Sequence, residues 1–158
     1  MAEKSLRIRK IKQGTVIDHV NPGKAFTVLR LLGISESTGE LISIAMNIPS
    51  SKLGKKDIIK IENRFLSETD FNTIALISPK ASINKIQDYN IIKKDIVQIP
   101  DKFKGIIACV NPTCITNKEN EPISSKFIVL EKNPLNIKCE YCGRIMDQRD
   151  IASHFIFK

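Results

Sequence analysis

In KDIIKIEN, residues 56–63, Ile59 and Ile61 alternate with Lys60 and Glu62. A two-residue period sets apolar groups on one face and charges on the other, as in a half-buried strand. Upstream, GTVIDHV at 14–20 is a short β-rich run stopped by Asn21-Pro22-Gly23. KAFTVLRLLG then places Ala25, Phe26, Val28, Leu29 and Leu32 on one helical face, with Gly33 available to end the helix in the left-handed region. ELISIAMNI reads as a strand closed by Pro49, Ser50 and Ser51. Ser67, with Asp70 three residues on, marks a helix start, and Phe71, Ile74, Ala75 and Ile77 keep helical spacing as far as Pro79. ASINKIQ alternates again, Asp88-Tyr89-Asn90 turns the chain, and IIKKDIV returns as its hairpin partner.

The predicted order is strand, helix, strand, strand, helix, strand and one added strand. This is an α+β class, the ferredoxin-like split βαβ pattern, with two helices on one sheet face. The opposite face is left to solvent or to a partner. VQIPDKFKG at 97–105 has the proline and charges of a linker, which divides the chain into 1–100 and 101–158. Beyond it no helical period stands out, and GIIAC, SKFIVLE, NIKCEYC and SHFIFK predict a small all-β, zinc-ribbon-like domain. So short a unit buries too little apolar surface to hold itself, and a staple is expected.

The chain's four cysteines all fall in that unit. Cys109 and Cys114 frame a four-residue turn, and Cys139 and Cys142 a two-residue turn. Each turn aims two sulfurs at one point, and two turns complete the tetrahedron that Zn²⁺ accepts at about 2.3 Å per bond. The charged start MAEKSLRIRKIKQG is no export signal, and no apolar run approaches the roughly 18 residues that cross a bilayer. A cytoplasmic location is therefore expected, where thiols stay reduced and paired cysteines bind metal rather than form the alternative disulfides. Four protein ligands leave no open position, so the site is structural and His154 is not needed as a ligand.

A formal charge of +8 points to an anionic partner. The basic surplus is six over residues 1–100 and two over 101–158, and four thiolates around a dication bring the second part to neutrality. The anion site is therefore expected in the first part. On its strands, Asp18 shares a face with Val16 and Val20, with His19 opposite; Lys56 and Lys60 share a face, Asn84 lies mid-strand, and Lys94 follows on the last strand. A carboxylate for ribose hydroxyls, lysines for phosphates and an amide are what a nucleotide needs. The same residues suit an ordinary solvated sheet face, and there is no glycine-rich phosphate loop.

KIKQGTVIDHV, NIPSSKLGKKDIIKIENRFLSE, INKIQDYNIIKK and the Cys-x₄-Cys and Cys-x₂-Cys pairs resemble the aspartate carbamoyltransferase regulatory chain family over nearly the whole sequence. GTVIDH and KDIIKIEN are the specific stretches. The resemblance implies a non-catalytic subunit that carries allosteric control of pyrimidine biosynthesis. Its first domain would bind CTP and ATP, with UTP as a further effector, and its zinc domain would dock on catalytic chains. It would pair as a homodimer bridging catalytic trimers, with no nucleic-acid or membrane partner. By the same resemblance Asp18 and Lys60 contact ribose and base, and His19, Asn84 and Lys94 meet the phosphates. Backbone groups near Ile11, Tyr89 and Ile91 read the base. Ser5 and Arg9 replace the family's basic and acidic arm residues that help a second, metal-linked nucleotide, with Lys4 and Arg7 close by. That departure implies altered base preference or an altered second site.

Two other classes compete. A nucleic-acid-binding zinc ribbon would suit the basic chain, but its zinc part is neutral and lacks interleaved aromatic and basic residues. A zinc enzyme or thiol oxidoreductase would need an open ligand position or a poised base, and the sequence offers neither.

Overall fold

The computed structural model describes residues 10–157. Ser5 and Arg9, with Lys4 and Arg7, lie outside the described residues. The chain divides into two compact units, Met1–Gln98 and Ile99–Lys158.

The first unit runs β1 (Gly14–Val20), α1 (Ala25–Leu31), β2 (Ile42–Ser50), β3 (Gly54–Glu62), α2 (Glu68–Ile77), β4 (Ser82–Gln87) and β5 (Asn90–Ile96). Its five strands lie in the order β2-β3-β1-β4-β5, all neighbours antiparallel. This is the split βαβ arrangement, with β3 inserted between β1 and β2 and β5 added at the edge beside β4.

Register separates the two faces. Ile17 sits opposite Ile59 on one side and Ile83 on the other, and this row is dry: Ile17 and Ile59 are fully buried, as is Ile61. Over it lie α1, which contributes Ala25, Val28, Leu29 and Leu31, and α2, which contributes Ile74, Ala75 and Leu76. α1 ends as its glycine predicts. Gly33 takes φ 73°, its N–H donates to Arg30 O and the Ile34 N–H to Leu29 O, closing a Schellman motif. α2 begins with a reciprocal cap, in which the Ser67 hydroxyl accepts from the Asp70 N–H and the Asp70 carboxylate accepts from the Ser67 N–H.

Three local expectations change. Phe26, expected on the buried face of α1, is 60% exposed. It lies about 100° round the helix from Ala25, and the buried arc turns the other way, through Leu31. Leu76 rather than Ile77 completes the buried face of α2. Pro49 and Ser50 belong to β2 instead of closing it, which an edge strand tolerates because the missing N–H interrupts no inner ladder.

The second unit contains β6 (Lys102–Lys104), β7 (Lys126–Lys132), β8 (Leu135–Cys139) and β9 (Ile145–Met146), an antiparallel sheet in chain order, followed by α3 (Gln148–Ser153). Part of the expected linker is thus β6, and SHFIFK contributes a single bridge between Phe155 and Ile107 rather than a strand. α3 is six residues long, too short for a period to show in sequence. It is recognisable by its cap, since Asp147 accepts from the Arg149 and Asp150 N–H groups. Ile107, Phe127, Ile137 and Met146 form the buried centre, and the rings of Phe103 and Phe127 stack with centroids 5.6 Å apart.

Candidate functional site

The helix-free face of the first sheet carries a polar row. Lys60 lies opposite Val16, Val16 opposite Asn84, and Asn84 opposite Lys94, so one line crosses β3, β1, β4 and β5. Asp18 is two residues along β1 and faces Ser82. Lys56, also on this side of β3, places Nζ 3.0 Å from Asp18 Oδ1. Asn84 is 6% exposed and its Oδ1 is buried without a hydrogen-bond partner among the described residues. A buried amide is costly unless paired, so this group is suited to a ligand contact.

His19 departs from simple alternation. The β1–β3 register shifts between Ile17 and Val20, and His19 takes φ 54°. The extra residue is a β-bulge. It turns Val20 into the dry core, where it is fully buried, instead of leaving it beside Asp18. It also brings His19 to the Asp18 side: its Nδ1 is 3.4 Å from Ser82 Oγ and 3.8 Å from Asp18 Oδ2. The expectation that His19 and Asp18 lie on opposite faces is therefore corrected. Burial lowers the His19 pKa below its ordinary value, Asp18 works against this, and Lys56, Lys52 and Lys94 lower it further. Burial likewise lowers Lys60, opposed by Asp18 and assisted by Lys10. The site is net cationic and suited to an anion.

At one end of this face the segment before β1 runs beside the β4–β5 turn. Asp88 and Tyr89 both have positive φ, as a two-residue hairpin turn of this hand requires, and the Tyr89 N–H donates to Lys12 O at 2.9 Å. Ile11 is buried, whereas Tyr89 and Ile91 are exposed. Ile11 directly precedes Lys12, which meets the turn, and Tyr89 and Ile91 lie in the turn and just beyond it.

In the second unit the Sγ atoms of Cys109, Cys114, Cys139 and Cys142 all lie within 4.8 Å of one another. Cys109 and Cys142 are 3.6 Å apart, and Cys114 and Cys139 are 3.8 Å apart. A tetrahedron with metal–sulfur bonds of about 2.3 Å has edges near 3.8 Å, whereas a disulfide needs about 2.05 Å. Burial pushes the Cys109 thiol up to about 12 and raises Cys139 as well. Such a cluster becomes thiolate when a cation compensates it, and four soft donors around one point fit a metal ion.

The turns are held by their neighbours. Asn117 Nδ2 donates to the carbonyls of Cys109 and Asn111 at 2.8 and 2.7 Å, and Asn111 Oδ1 accepts from the Thr113 N–H and hydroxyl. Thr116 Oγ1 is 3.2 Å from Cys114 Sγ. In the second turn Gly143 takes φ 78° and donates to Cys139 O, while the Cys139 N–H donates to Arg144 O. His154 is engaged elsewhere, its Nδ1 lying 2.6 Å from Asp150 O.

Comparison with known proteins agrees with this two-part arrangement. Residues 6–98 match the family model described as aspartate carbamoyltransferase regulatory chain, allosteric domain, and residues 101–152 match the metal binding domain of the same chain. The chain belongs to the aspartate carbamoyltransferase regulatory chain family. Among its relatives, the regulatory chain of Methanothrix thermoacetophila is 48% identical over 156 residues, covering 99% of this chain and all of the relative. That of Ignicoccus hospitalis is 48% identical, covering 96% of this chain and 97% of the relative. That of Pyrococcus horikoshii is 46% identical, with coverage of 94% and 97%. The relatives bear the name of a regulatory chain, and this one is a regulatory chain with an allosteric and a metal-binding domain.

Several residues of this regulatory chain escaped the sequence reading. Lys10 and Lys52 act on Lys60 and His19 only through tertiary approach. Asn117 braces the first cysteine turn, the Asn111-Pro112 turn that the sequence itself marks, by donating to the Cys109 and Asn111 carbonyls. No helix among the described residues is long and apolar enough to cross a membrane.

Proposed function

We propose that this regulatory chain binds CTP and ATP, with UTP as a further effector, on the helix-free face of its first unit. In this reading Lys94, Asn84 and His19 meet the phosphates, Asp18 and Lys60 hold ribose and base, and backbone groups near Ile11, Tyr89 and Ile91 read the base. Cys109, Cys114, Cys139 and Cys142 hold one structural Zn²⁺, and the folded unit around it docks on catalytic chains. Two regulatory chains pair as a homodimer that bridges catalytic trimers.

The observation that carries the reading is the alignment of Lys60, Asn84 and Lys94 across four strands beside Asp18 and His19. A triphosphate is tetra-anionic at neutral pH in round terms, and charge-assisted hydrogen bonds to lysine are roughly twice as strong as neutral ones. The Asp18 carboxylate does not repel it if hydroxyls lie there, because ionised Asp only accepts. Zinc supplies no reaction step. Four thiolates close its coordination, so it acts by fixing the two turns.

Regulation then requires that the nucleotide favour one quaternary state by about 1–3 kcal/mol. The test is to mix the zinc-loaded chain with aspartate carbamoyltransferase catalytic trimers and measure aspartate saturation with and without CTP and ATP. Assembly with a nucleotide-dependent shift in half-saturation is expected. Failure to assemble, or an assembled enzyme indifferent to every nucleotide, would overturn the reading.

A further inference from the structure

Asp57 on β3 is fully buried, and no cation is paired with it among the hydrogen bonds and ion pairs of the described residues. Its carboxylate instead accepts three backbone N–H groups from two separate places. Oδ2 takes Gly23 at 2.9 Å and Ala25 at 3.1 Å, at the start of α1, and Oδ1 takes Asn47 at 2.9 Å, on β2. An ionised carboxylate is acceptor-only, and three amide donors satisfy it in a dry interior.

The Asn47 amide lies within a bulge of β2, and the Gly23 and Ala25 amides follow a bulge of β1 in the chain. β3 is flanked by two bulges: β1 shifts register between Ile17 and Val20, and β2 shifts between Ala45 and Ile48. Each shift contains a non-glycine residue at positive φ, His19 at 54° and Asn47 at 59°. Such conformations persist where the surroundings over-determine them. Val20, the residue after His19, lies directly opposite Asp57. The chain then continues through Asn21, whose N–H donates to Ser78 Oγ, into the Gly23 and Ala25 amides that Asp57 binds.

We propose that Asp57 is a positioning residue for the effector site, fixing the bulge that presents His19 and linking it across β3 to the bulge of edge strand β2. The proposal rests on the nucleotide reading above. Asp57 does not touch the nucleotide; it acts through His19.

The test is calorimetric titration of CTP into the full zinc-loaded chain, for wild type, Asp57→Asn, His19→Gln and the double variant. Asn is nearly isosteric, but its NH₂ cannot accept an amide proton. Asp57→Asn should weaken CTP binding about tenfold alone and less than about twofold in the His19→Gln background, because coupled residues are non-additive. Losses that multiply in the double variant, or unchanged affinity in Asp57→Asn, would overturn the proposal. Should Asp57→Asn fail to fold, Asn47 offers a second route two strands from β1. Asn47→Gly keeps both the amide and the positive φ and should leave CTP affinity unchanged, whereas Asn47→Ala should weaken it about two- to fivefold through backbone strain. Equal affinities for those two variants would likewise refute the link. A wild-type chain that binds no CTP would overturn the nucleotide reading itself, whereas wild-type binding with unaffected variants would overturn only the role of Asp57.

Discussion

In the Met1–Gln98 unit, two helices lie over one face of a five-stranded sheet, and Ile17, Ile59 and Ile61 reach full burial through apolar packing. The Ile99–Lys158 unit has strands of two to seven residues, one short α-helix and a 3-10 turn at Ile115–Asn117 among its described residues, and three of its four cysteines are buried, as are Phe127 and Ile137. The larger unit can carry a polar row on one sheet face because its apolar core lies on the other. The smaller one has no such reserve, and its sulfurs do the structural work that additional apolar residues do elsewhere. In the proposed reading one unit is thus free to carry a nucleotide, and the other relies on a metal ion to fold.

Metal removal should separate the units most sharply. A strong chelator, or Cys139→Ala, withdraws the binding free energy of about 10–16 kcal/mol typical of structural zinc. Amide spectra should then lose dispersion for residues of the Ile99–Lys158 unit while those of β1 to β5 persist. Uniform loss across both units, or none, would remove the contrast.

A smaller effect sharpens the nucleotide half of the comparison. The His19 pKa is lowered below 6.5 in the free chain, by burial first, then by Lys56, Lys52 and Lys94 against the opposing pull of Asp18. A phosphate beside the imidazole raises it, so binding takes up a proton. Affinity for CTP should rise as pH falls from the bound-state pKa towards the free-state pKa, and level off outside that window. Each unit of difference corresponds to about 1.4 kcal/mol, or tenfold. The His19→Gln chain should lose this dependence, which affinity measured from pH 5.5 to 8 would reveal.

Legibility in sequence followed the same division. The strand and helix order of the first unit was readable because Ile59 and Ile61 alternate with charges, and because Ser67 and Asp70 announce a cap. The faces of β1 were misread after Ile17, since a bulge adds one residue and reverses every side chain beyond it. Nothing in the sequence DHV announces positive φ at His19; it accompanies the register shift between β1 and β3, which appears only once the strands pair. The cysteine turns were legible from spacing alone because each pair closes within a few residues. Asp57 was not, because KDIIKIEN shows an acid in a strand and gives no hint that its partners, Gly23, Ala25 and Asn47, come from other segments.

The central claim is that the polar row on the open sheet face captures a triphosphate independently of the metal-held unit. Titrating CTP into the zinc-loaded chain and into Lys94→Ala tests it most directly, with metal content measured on both. The account predicts saturable binding by wild type and a loss of about 1.5–3 kcal/mol in Lys94→Ala, the worth of one charged hydrogen bond, at unchanged zinc content. Equal CTP affinity in the two chains would contradict it.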